Sequence, residues 1–187
     1  MQIQDGKIRS FPMKGTIEAD LPNAADIILA DKKEHAEHCT IVDLIRNDLN
    51  LVAESVKVER FKYIEQITTR QKNLLQVSSE ISGVLPPNYA ENIGDILMKL
   101  LPAGSISGAP KKKTVEIIQA AEGQERGYYT GVMGYFDGEN FDSGVMIRYL
   151  EKRDNQLFYR SGGGITSFSD CEKEYQELLD KIYVPIY

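Results

Sequence analysis

Two runs rich in β-branched and aromatic residues, Val56–Thr69 and Leu74–Val84, are separated by little more than the TRQKN stretch. A connection that short acts as a turn, so the runs are expected to form two strands paired antiparallel. Whatever fold the chain adopts must be organised around that pair.

The remaining punctuation places helices and shorter strands around it. Residues 7–17 (KIRSFPMKGTI) predict a strand that runs into a Pro- and Gly-marked loop, and the pattern then turns helical from about Asn23 to Asn47. In that segment Ile28, Leu29, Ala36, Cys39, Val42 and Leu44 form an irregular apolar stripe, with Lys32, Lys33, Glu34 and Glu37 on the other faces. Tyr89–Leu101 predicts a second helix, and Gly104–Gly108 leads through Pro110 into a third that ends near Gly123. Tyr128–Phe136, Ser143–Lys152 and Gln156–Ser161 predict a three-strand meander closed by Gly162-Gly163-Gly164, and a last helix is expected from about Asp170 to Tyr183. The fold class is α+β: antiparallel sheets flanked by helices, in a single unit spanning 1–187.

Charge and cysteine content exclude several classes of function. With 22 Lys+Arg against 28 Asp+Glu the net charge is −6, which repels nucleic acid and anionic membranes. Cys39 and Cys171 are too few for a disulfide framework or a cysteine-based zinc site, so a reducing cytoplasm is the default. The segment MQIQDGKIRS has no apolar signal core, and no run approaches the length that spans a bilayer. An anionic ligand must therefore meet locally concentrated positive charge or a metal.

Several clusters have chemistry suited to that task. Glu34 and Glu37 lie three residues apart on one predicted helix, as do Glu174 and Glu177 on another, so two facing helices could present four carboxylates to one site. Oxygen-only ligands suit Mg²⁺, although a single Glu-x-x-Glu is more often a solvated helix face. Lys181 follows Glu177 at i+4, the spacing of a surface ion pair. His35 and His38 lack a convincing third ligand and read as surface or interface histidines. The Gly162–Gly164 run can bring backbone amides close to an anion, or it can simply make a turn. Arg148, within VMIRYL, is expected to be partly buried and to need an anionic partner. Lys14, in PMKGT, stands in a constrained loop at a strand end.

Taken in order, FPMKGT, AEHCTIVDLIRNDL, VERF, PAGSISGAPK, YYTGVMGYF, IRYL, GGGI and EKEYQELLDK resemble the chorismate-utilising enzymes over nearly the whole chain. That family includes the anthranilate synthase large subunit, aminodeoxychorismate synthase component I, isochorismate synthase and salicylate synthase. The resemblance implies part of the chorismate-binding αββα fold. It also implies a site in which Glu37 and Glu177, with Glu34 and Glu174 alongside, hold a Mg²⁺ that grips the ring carboxylate. It assigns Tyr129 and Arg148 to the enolpyruvyl carboxylate, and Gly162, Gly163, Gly164 and Lys181 to holding the substrate and its metal-bound water.

Lys14 separates the branches. Aminodeoxychorismate synthases typically read P-I-K-G-T at this loop, where the other branches usually carry Ala. The resemblance therefore implies a lysine nucleophile, chorismate and ammonia as substrates, and a glutamine amidotransferase subunit as partner. A Lys14→Ala change is expected to leave Mg²⁺ binding nearly intact, since the metal ligands lie on other elements.

Two departures accompany the resemblance. Gln76 stands where many relatives have a histidine, and glutamine cannot shuttle a proton, which disfavours pyruvate elimination of the anthranilate type. The family fold also begins upstream of Met1, in a half containing an S-P-E segment. The chain is therefore expected to be a carboxy-terminal part of the catalytic domain, with exposed apolar surface and a tendency to self-associate. The alternatives are an anthranilate synthase-type enzyme or a non-catalytic fragment.

Overall fold

The computed structural model describes residues 1–68, 73–167 and 169–182. The expected strand pair is present as β4 (Glu54–Thr68) and β5 (Asn73–Val84), antiparallel from Glu54↔Val84 to Thr68↔Asn73. Most of the connector between them lies outside the described residues. β5 is the spine of the molecule. One of its edges carries β4, and the other is shared by β3 (Met13–Glu18), against residues 74–78, and β2 (Lys7–Ser10), against residues 81–84.

Beyond β2 the sheet continues through β1 (Gln2–Gln4) and β7 (Phe141–Val145) to β6 (Val132–Phe136), seven strands in all, every pairing antiparallel. β8 (Tyr149–Arg153) and β9 (Gln156–Arg160) form a separate two-stranded ribbon. The mixed helix and antiparallel-sheet class is as expected.

The strand expected over 7–17 is in fact two, interrupted at Phe11 and Pro12, where the chain passes from the 81–84 half of β5 to its 74–78 half. Lys14 is consequently on a strand and not in a loop. The meander of three strands is corrected to four strands in two sheets. Arg148 sits at φ 53, a left-handed conformation that breaks the predicted Ser143–Lys152 strand and turns the chain from β7 into the ribbon. The strand predicted from Tyr128 starts only at Val132, because Gly127 and Thr130 also take positive φ.

The first helical segment divides as well. α1 (Ala24–Ala30) stops at Asp31, whose extended backbone (ψ 117) ends one helix while its side chain accepts the Glu34 amide at 2.9 Å and caps the next, α2 (Lys32–Leu49). The buried stripe of α2 is His38, Val42, Ile45 and Leu49, spaced 4-3-4. It packs on Ile3, Ile8, Ile81 and Phe141 of the sheet, each apolar side chain contributing about 1.5–3 kcal/mol by leaving water. Of the stripe expected from sequence, Ala36 and Leu29 are exposed.

A 3-10 turn (Tyr89–Asn92) leads into α3 (Ile93–Leu100), then a short α4 (Gly104–Ser107) and α5 (Lys111–Glu122), the last beginning after Pro110 and ending at Gly123 as expected. α6 (Cys171–Asp180) is capped by Asp170, which accepts the Lys173 amide at 3.1 Å; Tyr183, where the predicted helix ended, lies outside the described residues. Cys39 and Cys171 are both free. No helix among the described residues is long and apolar enough to cross a membrane.

Candidate active site

The site is built around an irregularity in β3. Met13 pairs with Ser78 and Thr16 with Gln76, so two residues, Lys14 and Gly15, oppose one. This is a β-bulge, the device that re-aims a side chain out of the pleat. Gly15 adopts φ +81, and a Cβ there would stand 3.2 Å from a Glu34 carboxylate oxygen, so glycine both permits the bulge and lets Glu34 close over it. The re-aimed Lys14 donates to Glu37 at 2.8 Å. Lys33, one turn before Glu37 on α2, reaches the other oxygen at 3.9 Å.

On α6, Glu177 accepts from the Lys181 ammonium at 2.5 Å. That hydrogen bond holds the Glu177 carboxyl below its usual range, and the charges of Lys181, Lys14 and Lys33 push the same way against the opposing effect of burial. Glu174 accepts from the Ser169 hydroxyl at 2.6 Å and lies 3.4 Å from where a Cβ on Gly163 would be. The contacts of the expected glutamates are thus local: Glu34 and Glu37 of α2 lie against the β3 bulge, and Glu174 of α6 lies beside Gly163.

Among the described residues no three His, Cys, Asp or Glu side chains converge into a metal cage. The carboxylates of Glu37 and Glu177 are nevertheless donors of the kind that suits a hard cation such as Mg²⁺, which takes one or two protein carboxylates and fills the rest of its shell with water and substrate oxygens.

A second group adjoins the glycine run. The Tyr129 hydroxyl abuts Gly162 so closely that any Cβ on Gly162 would overlap it. Burial raises the Tyr129 phenol above its ordinary range, while the charges of Arg126 and Arg148 oppose the shift. The expectation of a partly buried, paired guanidinium at Arg148 is corrected: the residue is exposed and its side chain makes no hydrogen bond or ion pair among the described residues. Its left-handed backbone carries it out of the strand at the corner between sheet and ribbon, which leaves the guanidinium free for an external anion.

Sequence reading missed Arg126, whose guanidinium lies 5.5 Å from the Tyr129 ring centre and clasps Glu122 with two bonds of 2.6 and 2.8 Å. The i,i+4 spacing across the end of α5 was the available signal. His38, read as a surface or interface residue, is 1% exposed and lies under the β5 spine.

The sequence profile of the chorismate binding enzymes matches residues 1–186. The chain belongs to the chorismate-binding enzyme family. It is 54% identical over its whole length to an uncharacterized PabA-like protein of Haemophilus influenzae, covering 57% of that protein. It is 37% identical to anthranilate synthase component 1 of Aquifex aeolicus, over 97% of this chain and 37% of that one. The chain thus spans little more than half the length of the PabA-like relative. The menaquinone-specific isochorismate synthase MenF of Escherichia coli shares the fold, with a TM-score of 0.79 at 23% identity over 96% of this chain and 41% of MenF.

Proposed function

We propose that this family member is the chorismate-binding part of an aminodeoxychorismate synthase component I, aminating chorismate to 4-amino-4-deoxychorismate in the cytoplasm. The observation that carries the reading is Lys14, on the β3 bulge and in contact with Glu37 of α2, at the position where, by the resemblance, the other branches of the family usually carry Ala. The PabA-like name of the Haemophilus influenzae relative points the same way.

In this reading Glu37 and Glu177, supported by Glu34 and Glu174, hold Mg²⁺, which when bound neutralises the ring carboxylate of chorismate. Tyr129 and Arg148 receive the enolpyruvyl carboxylate. The backbone at Gly162–Gly164 and the Lys181 ammonium line the remaining side. The neutral Lys14 amine attacks ring C2, both ring double bonds shift (C1=C2 to C1=C6 and C5=C6 to C4=C5), and the C4 hydroxyl leaves as water with the proton the amine gives up. Ammonia, delivered by a glutaminase partner, then enters at C4, both double bonds shift back, and the C2–N bond to Lys14 breaks as the departing amine takes up the proton that the ammonia loses. Two easier substitutions replace one difficult one.

The test is product identity with chorismate, ammonium and Mg²⁺, together with a search for the covalent intermediate. Without ammonium, mass spectrometry is expected to find the chorismate-derived adduct on Lys14, and Lys14→Ala is expected to abolish both adduct and amination. Unimpaired amination by Lys14→Ala, with no adduct in the unsubstituted chain, overturns the assignment. The identity to anthranilate synthase component 1 supports a second reading, and accumulation of anthranilate would select it. Gln76 weighs against that outcome. It pairs with Thr16 directly beside the bulge, and its amide cannot relay the proton that elimination requires.

A further inference from the structure

We propose that Lys14 competes with the divalent cation for Glu37, so that loading the cation and freeing the Lys14 amine are one coupled event. The proposal rests on the cation site assigned above. Both glutamates given the leading role there are already neutralised by ammonium groups. Lys14 occupies one Glu37 oxygen at 2.8 Å, Lys33 approaches the other at 3.9 Å, and Lys181 holds Glu177 at 2.5 Å.

An oxygen that accepts an ammonium proton cannot offer the same lone pair to a metal, and a unit positive charge a few ångströms from a dication repels it. The cation must therefore displace Lys14 or bind weakly beside it. Displacement is easy in the forward direction. The Lys14 side chain is 44% exposed and, among the described residues, its one hydrogen-bond partner is Glu37, so swinging away breaks a half-solvated pair of small intrinsic strength. The bulge fixes the Lys14 backbone while its four-carbon stem stays free to swing, so the amine that leaves Glu37 remains tethered at the site. The expectation from sequence, that Lys14→Ala leaves Mg²⁺ binding nearly intact, is the opposite outcome, and the 2.8 Å contact is the reason to test it.

The experiment is calorimetric titration of the chain with magnesium chloride in the absence of chorismate, which reads binding and not turnover. Lys14→Met is expected to tighten Mg²⁺ about five- to tenfold, the combined effect of removing the pair and the nearby charge. Lys33→Met, at the longer and more exposed contact, is expected to tighten it by about twofold or less. Lys14→Arg keeps the charge and is expected to stay near the unsubstituted affinity. Far-UV circular dichroism of each variant confirms that the fold is retained. If Lys14→Met binds Mg²⁺ no tighter than the unsubstituted chain, or if Lys14→Arg tightens it equally, the competition is refuted while the cation site stands. If the unsubstituted chain and Lys14→Met both fail to bind Mg²⁺, even with chorismate present, the cation site itself is refuted and the competition with it.

Discussion

His38 Nε2 lies 2.7 Å from the Ser79 hydroxyl, tying the first turn of the buried α2 stripe to the middle of β5. Ser79 also accepts the Lys62 amide at 3.0 Å, so one serine joins β4, β5 and α2. The same helix carries Glu34 and Glu37, and the same strand pairs with the β3 bulge. The His38–Ser79 bond is thus one of the contacts that hold α2, with Glu37 next to His38 in sequence, against the strand that pairs with Lys14's own.

Burial holds His38 below its ordinary pKa of 6.5, and the charges of Lys62 and His35 act in the same sense. A base whose folded pKa is depressed is protonated more readily in the unfolded chain. The sign follows: His38 contributes full stability above about pH 6.5 and loses it as pH falls, with a slope of at most about 1.4 kcal/mol per pH unit. His38→Gln removes that titration. Urea denaturation from pH 8 down to pH 5 is expected to show the stability gap between the native chain and the variant narrowing with acid, and a constant gap would contradict the buried neutral imidazole.

Gly162 and Tyr129 offer a cleaner geometric test. A methyl group on Gly162 would overlap the Tyr129 hydroxyl, whereas Tyr129→Phe removes the oxygen it meets. Gly162→Ala is expected to lower the melting temperature and to weaken chorismate binding at least tenfold. In the Tyr129→Phe background the stability cost of Gly162→Ala should shrink, a coupling of about 1 kcal/mol or more in a double-mutant cycle. Additive effects would mean that the two groups are not in contact.

What sequence could reveal follows from how local each feature is. The strand pair, the Pro110 helix start and the Lys181–Glu177 pair depend on neighbours a few residues apart, and they are where spacing put them. The breaks were hidden because they are set by backbone geometry: Asp31 can be read as one more helical residue, and Arg148 at positive φ looks like a strand residue among Val145, Met146 and Ile147. His38 was misjudged because only tertiary packing places a histidine at the head of an apolar stripe. The contact between Lys14 and Glu37 spans 23 residues and depends on a bulge that the order of residues in PMKGT does not announce.

The junction of α2 with α4 and α5 is predicted to depend on one ion pair. Lys111 donates to Asp48 at 2.8 Å and to the Leu100 carbonyl at 3.2 Å, and the Asp48 side chain is only 14% exposed. Asp48→Ala leaves the ammonium half-buried without its anion and is expected to cost about 1–3 kcal/mol by chemical denaturation. Asp48→Ala combined with Lys111→Met should recover part of that loss, because no uncompensated charge remains. A double variant no more stable than Asp48→Ala would show that the aspartate matters through its packing on Gly104 and not through the lysine.

The last prediction concerns the far edge of the sheet. β6 is a terminal strand whose outer backbone groups pair with no other strand among those described. Met133 and Tyr135, two residues apart and so on one face, are 68% and 74% exposed, and Phe136 at the strand's end is 39% exposed. An apolar edge of this kind is a template for pairing with another chain. Sedimentation velocity is therefore expected to show concentration-dependent self-association. Substituting Met133→Lys and Tyr135→Lys together should shift the population toward monomer with little change in melting temperature, since both side chains are already in solvent. A monodisperse monomer at high concentration would contradict the self-association. Association undiminished by the two lysines would move the interface to another exposed face, such as the ribbon bearing Leu157 and Phe158.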